Sequence, residues 1–188
     1  MSEINDNTPD STFVHPRKIF NRAGNDGIIV GAYLSGLALM TGFSVKVGLF
    51  SILVWVFSLY LPFFVYRLIS RGYKADGYRS RFSDLWAQGI STFFFASIIL
   101  AAVVYVCLRF IAPHFIADQF AAAMALFNQT GTPEGMEIAE TLKRVSETNS
   151  LPTASDVSME MIVFNLLVGT VISLFCAAIL KLSGRKKK

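Results

Sequence analysis

The chain has 188 residues, of which 53% are hydrophobic and only 16% charged, and its mean hydropathy is +0.51. An ordinary soluble domain carries about 25% charged residues, so these figures exclude a soluble globular protein and point to an integral membrane protein. The net charge of +4 does not argue for nucleic acid, because the bases sit beside apolar runs rather than on a basic face with aromatic readers.

The N-terminal segment, residues 1–22, divides in two. Residues 1 to about 14 are polar and acidic and read as a disordered tail. From His15 to Arg22 the segment mixes Ile19 and Phe20 with Arg17, Lys18 and Arg22, a composition suited to an anionic membrane surface. A cleaved signal peptide is not expected, since the first apolar run begins too late and is too long. Neither an N-myristoyl nor a prenyl anchor is expected: Ser2 follows the initiator Met, and Lys188 stands where a prenylation box would end.

Four stretches without charge follow: Gly27 to Val45, Val47 to Tyr66, Leu85 to Leu108 and Met161 to Leu180. A helix rises about 1.5 Å per residue, so roughly 20 apolar residues match a hydrocarbon core about 30 Å thick. The expected fold is therefore all-α: an integral membrane four-helix bundle with two short amphipathic helices between the third and fourth spans. Its membrane domain covers residues 23–183, with spans at about 27–45, 47–69, 84–111 and 158–182, an external insert at about 113–156 and a basic tail at 184–188.

In the first span Gly27, Gly31 and Ser35 recur every four residues, and Gly42 continues roughly the same face. Small residues at this spacing let two helix backbones approach closely. The short turn at Lys46 favours packing against the second span over a dimer seam. In the second span Pro62 removes one backbone hydrogen bond and marks a candidate kink.

Ser83 is the expected N-cap of the third helix, with Asp84 near the positive end of its dipole. Phe93, Phe94 and Phe95 follow one another, so at least one ring must face lipid. Tyr105 and Arg109 lie near the far end, where the long Arg stem can snorkel to water.

Beyond Pro113, the residues Phe115, Phe120, Met124 and Phe127 form one apolar stripe, which predicts an amphipathic helix. Asn128 to Gly131 breaks it, and Thr132 with Pro133 reads as the cap and first position of another. Its apolar stripe is Ile138, Leu142 and Val145. These seven side chains are the candidate partner surface, and Leu151 to Asp156 reads as a loop. In the fourth span Asn165 is the side chain most costly to leave unpaired, and it is expected to bond across helices.

Flanking bases set orientation. Thirteen of the 17 bases fall before the first span, between the second and third, or after the fourth. The opposite side holds Lys46, Arg109, Lys143 and Arg144 together with seven acids of the long connection. Both termini are therefore expected in the cytoplasm.

No Asp, Glu or His falls within the apolar core of a span, so no proton-coupling site, metal site, cofactor or catalytic residue is expected. Cys107 and Cys176 should differ in depth by roughly 10–15 Å, too far for a disulfide.

The run from Tyr78 to Phe120, with Phe82–Ser83, Tyr105 and Phe110–Ile111–Ala112–Pro113, resembles the signature of the Bacteroidota membrane family called domain of unknown function 4199. The resemblance implies about four spans and a bacterial inner-membrane location, and it transfers no catalytic residue. The leading functional expectation is a non-enzymatic accessory or scaffold subunit whose partners are the lipid bilayer and a membrane protein or a second copy. The rival is a channel or carrier for a neutral or lipidic solute, with Pro62, Tyr105 and Arg109 as its candidate polar path. A weaker third class is an envelope enzyme sited in the external connection.

Overall fold

The computed structural model describes residues 16–44, 48–78, 80–148 and 151–185. The expected disordered tail, the Lys46 turn and the last three residues of the basic tail lie outside the described residues. Every regular element among the described residues is helical: α1 (Pro16–Ser44), α2 (Gly48–Ala75), α3 (Phe82–Val106) with a π-helical turn Cys107–Ile111, α4 (Phe115–Thr130), α5 (Pro133–Glu147) and α6 (Ala154–Arg185). Four stretches are long and apolar enough to cross a membrane: Ile19–Phe43, Phe50–Ala75, Phe82–Ile111 and Ala154–Ser183.

Helix α1 begins well before its charge-free run, because a helix can extend through basic residues that a bilayer core would reject. Helix α2 passes through Pro62 without interruption. Pro62 has no N–H to give the carbonyl of Ser58. One residue before that carbonyl, the Tyr33 hydroxyl donates to the Phe57 carbonyl at 2.7 Å. A hydroxyl from α1 thus serves the backbone beside the proline.

Two compact units divide the described residues, one reaching to Leu100 and resuming at Ile162, the other spanning Ala101 to Met161. In the first unit α1 packs along α2, with Tyr33 against Phe57 and Phe64, and glycine contacts join α1 and α6 to α3. A methyl built on Gly27 would fall 2.6 Å from Phe95 Cβ, and one on Gly31 would fall 2.9 Å from Ile99 Cβ. The Gly27–Gly31 stripe therefore packs on α3, not on α2 as the short turn suggested.

Two more glycines, unremarked in the sequence, seat α6 on α3. Gly89 lies against Ser173, and Gly169 against the Phe93 ring. Around these seams Val65, Ile69, Leu85, Phe93, Ala177 and Leu180 are buried as one core. Phe93 is fully buried while Phe94 is exposed, so the triple phenylalanine splits between core and lipid-facing surface.

In the second unit α4 and α5 form a hairpin. α4 ends at Gly131, whose φ of 63° is a left-handed conformation open to glycine at no steric cost. Thr132 then caps α5, accepting from the Gly135 amide at 3.1 Å, with Pro133 as the first helical residue.

Two expected boundaries move. Helix α3 starts at Phe82, and its cap is the Asp84 carboxylate accepting the Arg81 amide at 2.9 Å, with Ser83 left exposed. The region read as a loop to Asp156 is shortened by a reciprocal cap. Asp156 accepts from the Thr153 amide at 2.8 Å, and Thr153 Oγ accepts from the Asp156 amide at 3.3 Å. The helix accordingly opens at Ala154, and its first-turn acid suits the N-terminal dipole.

The glycine seams yield a stability prediction. Overpacking a filled core costs about 1–3 kcal/mol, so Gly169→Val and Gly89→Val should lower the unfolding midpoint in detergent. Gly42→Ala, where a methyl meets nothing within 4 Å, should leave it unchanged. Equal midpoints for all three variants would remove the seams as the basis of packing.

Candidate functional site

The densest polar cluster in the first unit lies where the N-terminal ends of α1 and α3 meet the C-terminal end of α2. Its geometry begins with how α2 stops. Gly77 has a φ of 63°, the Gly77 amide donates to the Lys74 carbonyl and the Tyr78 amide to the Tyr73 carbonyl, both at 3.0 Å. This is a Schellman ending, and the Tyr73 and Tyr78 rings supply its usual apolar contact, edge to face at 5.2 Å. Tyr78 itself holds a φ of 63°, strained for a residue other than glycine. From α6, Lys181 Nζ lies 5.8 Å from the centre of the Tyr73 ring.

This turn presents Asp76 to α1. Arg22 donates from both terminal nitrogens to the two Asp76 oxygens, at 2.8 and 2.9 Å, and from Nη1 to the Gly72 carbonyl at 3.2 Å. A two-pronged contact of this kind fixes direction as well as distance. Ser80 Oγ adds a third donor to Asp76 at 3.0 Å. Gly72 gives these side chains room, since a methyl on it would sit 3.1 Å from the Gln88 amide and 3.2 Å from Arg22 Nη1 and would press on both.

One turn along α1 from Arg22, Asp26 accepts from Gln88 Nε2 at 3.2 Å. Gln88 is 3% exposed, so its amide is committed to the seam between α1 and α3. Two polar links thus tie α1 to the α2–α3 turn and to α3. The groups present hold charge and geometry: Arg22 and Ser80 both donate to the Asp76 carboxylate, and Gln88 donates to Asp26. Among the described residues no three His, Cys, Asp or Glu side chains come together as a metal site.

The residues singled out from sequence are distributed as follows. Gly27 and Gly31 lie together against α3, and Ser35 is buried one turn beyond them. Gly42 faces open space. Asn165 is buried, yet its Nδ2 has no hydrogen-bond partner, so the expected bond across helices from that amide nitrogen is absent.

Pro62 is exposed, and its carbonyl lies 3.8 Å from Cys176 Sγ on α6. Tyr105 and Arg109 are exposed, Arg109 on the π turn that precedes Pro113. Phe115, Phe120, Met124 and Phe127 of α4 are half-buried. On α5 the buried positions are Gly135 and Ala139, Leu142 and Val145 are half-buried, and Ile138 points outward. Cys107 and Cys176 are both free thiols.

Sequence reasoning missed Arg22, Asp26, Asp76 and Gln88 as partners. A usable signal existed: Gln88 is a lone amide inside an apolar run, and Arg22 and Asp26 share one face of α1 by their spacing of four.

The family model described as a protein of unknown function, DUF4199, matches residues 25–182. The chain belongs to that family. No curated protein matches it. No solved structure matches it either.

The Arg22–Asp76 pair can be tested by a double-mutant cycle. Hydrogen bonds to charged groups contribute about 1.5–3 kcal/mol each; discounted for the partial exposure of Arg22, a loss of about 2 kcal/mol is expected for Arg22→Met or Asp76→Asn. The double variant should lose much less than the sum of the two. Strictly additive losses would show that the pair is not a clamp. Asn165→Leu, which removes a buried amide whose nitrogen is unpartnered, should leave stability equal or higher; a clear loss would reveal a bond that Nδ2 makes.

Proposed function

We propose that this member of the DUF4199 family is a non-enzymatic accessory or scaffold subunit of the bacterial inner membrane, with both termini in the cytoplasm and the α4–α5 hairpin as its partner surface. One observation carries the reading. The hairpin lies outside the four candidate spans, yet it leaves Leu126, Met136 and Ile138 exposed. Large apolar side chains on an extramembrane element signal an interaction surface.

The remainder of α5 is built for water. Arg144 pairs with Glu140 at 2.8 Å and Lys143 with Glu147 at 3.8 Å, each one helical turn apart. Exposed pairs of this kind add little stability, but they keep α5 polar on one side. The Arg144 guanidinium also holds the Glu140 carboxyl below the usual carboxylate range, so the pair keeps its charges in mildly acidic surroundings. By helical spacing Met136 stands among these pairs, whereas Ile138 lies at the margin of the edge formed by Leu142 and Val145, so Ile138 and Leu126 of α4 are the apolar groups offered to a partner.

The charge distribution supports the orientation. The bases Arg22, Arg71, Lys74, Arg81 and Lys181 gather at the ends joined by the Arg22–Asp76 and Gln88–Asp26 links and by the Lys181–Tyr73 contact. By the positive-inside rule that end is cytoplasmic and the hairpin is external.

The test is mild-detergent purification from the native membrane followed by mass spectrometry of what is retained. The wild type should retain a stoichiometric membrane-protein partner, and Leu126→Asp/Ile138→Asp should release it without lowering the unfolding midpoint. Retention of the same partner by the double variant would move the interface elsewhere; recovery of no protein partner by the wild type would overturn the scaffold reading.

A further inference from the structure

Within the first unit, α2 and α6 come together at Pro62, whose carbonyl lies 3.8 Å from Cys176 Sγ. Further along both helices Lys181 reaches the Tyr73 ring, so the two run in the same direction. Over the first contact lies an open groove of about 440 Å³. Pro62 and Cys176 form its floor, and Cys176 is the one buried residue of its lining. Both are small side chains between larger ones, so the surface sinks there. The walls are Phe63 from α2 and Phe175 and Ile179 from α6, each more than half exposed.

The groove lies inside two candidate spans, Phe50–Ala75 and Ala154–Ser183. Its exposed walls therefore meet hydrocarbon, and what fills it is an acyl chain or an apolar helix. Volume decides between them. A helix about 10 Å across, laid along the seven residues from Ile172 to Ile179, would displace roughly 800 Å³, well above the space present. The groove takes a chain.

One end of it is polar. Tyr66 is half-buried and lines that end, and its hydroxyl has no partner among the described residues. Arg67 follows it in the chain, one turn beyond Phe63, and Lys74 stands two turns further on the same side of α2. Both bases are exposed, and neither pairs with a carboxylate among the described residues, whereas Arg22 is held by Asp76. Helix α2 contains no acid, and α6 contains none after Glu160.

We propose that the α2–α6 groove is a binding site for one anionic phospholipid, with an acyl chain over Pro62 and Cys176 and the headgroup at Tyr66, Arg67 and Lys74. Charge complementarity selects the headgroup. A base beside the membrane surface favours an anionic lipid roughly fivefold, and no acid on either helix opposes the two bases at this end. The Tyr66 hydroxyl adds a donor for a phosphate oxygen. The assignment does not depend on the scaffold reading, which concerns the other unit of the protein.

The test is native mass spectrometry of the full chain in detergent, titrated with dioleoyl phosphatidylglycerol or with dioleoyl phosphatidylcholine. The wild type should retain one phosphatidylglycerol about tenfold more tightly than phosphatidylcholine. Arg67→Gln/Lys74→Gln should bring the two lipids to parity, whereas Arg109→Gln/Lys143→Gln, which removes two exposed bases of the other unit, should keep the preference. Phe63→Ala/Phe175→Ala takes away both ring walls and should weaken retention of either lipid about tenfold. Its control, Phe43→Ala/Phe94→Ala, truncates two exposed rings away from the groove and should bind as the wild type does. Equal retention of the two lipids by the wild type, or an unchanged preference in Arg67→Gln/Lys74→Gln, would overturn the proposal. So would a lipid-free dimer that Phe63→Ala/Phe175→Ala dissociates, since the groove would then hold a second copy.

Discussion

Helices surrounded by lipid gain little from hiding apolar surface, because the acyl chains they leave are as apolar as the side chains they meet. What remains is contact at short range: dispersion between closely approaching backbones and the occasional hydrogen bond. The first unit depends on that constraint at α3. Gly27 and Gly31 bring α1 onto it, and Gly89 and Gly169 bring α6 onto it. Each seam works because one partner offers no side chain where the other offers one: Phe95 and Ile99 against α1, and Ser173 and Phe93 across the α3–α6 seam. Phe93, fully buried against Gly169, is the largest example.

Polar contacts then fix what close packing alone would leave free to slide. The Arg22–Asp76 fork and the Gln88–Asp26 bond both act on α1, within one turn of each other, and they reach two different elements. The Schellman turn at Gly77 makes this possible by ending α2 where Asp76 can face α1. The same device recurs elsewhere in simpler form. Tyr33 spends its hydroxyl on the Phe57 carbonyl near Pro62, satisfying a group that the hydrocarbon cannot. Sites with little water around them favour such exchanges, since an unmatched polar group there is costly.

The sequence made the helices and their approximate extents legible, because apolar runs of bilayer length have few other physical meanings. The cap at Thr132 and the small-residue stripe at Gly27 and Gly31 were also legible, since each rests on local spacing. Its partner was not: the stripe states that a backbone will come close, but not whose. The nearest helix in the chain was the natural choice, and α3 is the one that carries the complementary Phe95 and Ile99. Asp76 was invisible for a similar reason, as nothing within its own turn discloses an arginine 54 positions away. Gln88 escaped notice because an amide in an apolar run looks like a tolerated exception until its acceptor is found.

The long reach of these contacts bears on how the chain is made. Helix α1 is the least apolar of the four candidate spans, with a mean hydropathy of 1.4 against 1.9 to 2.4 for the others. Everything that secures it is synthesised later: its carboxylate partner comes 54 residues after Arg22, and the surface that receives its glycines comes later still. At ribosomal speeds of about 5–20 residues per second, α1 must wait for seconds with its arginine uncompensated and its glycine stripe against lipid or another protein. The first span to leave the ribosome is therefore secured only after α2 and α3 have followed it. The emergence of α3 is the moment at which α1 gains the surface that receives its glycines.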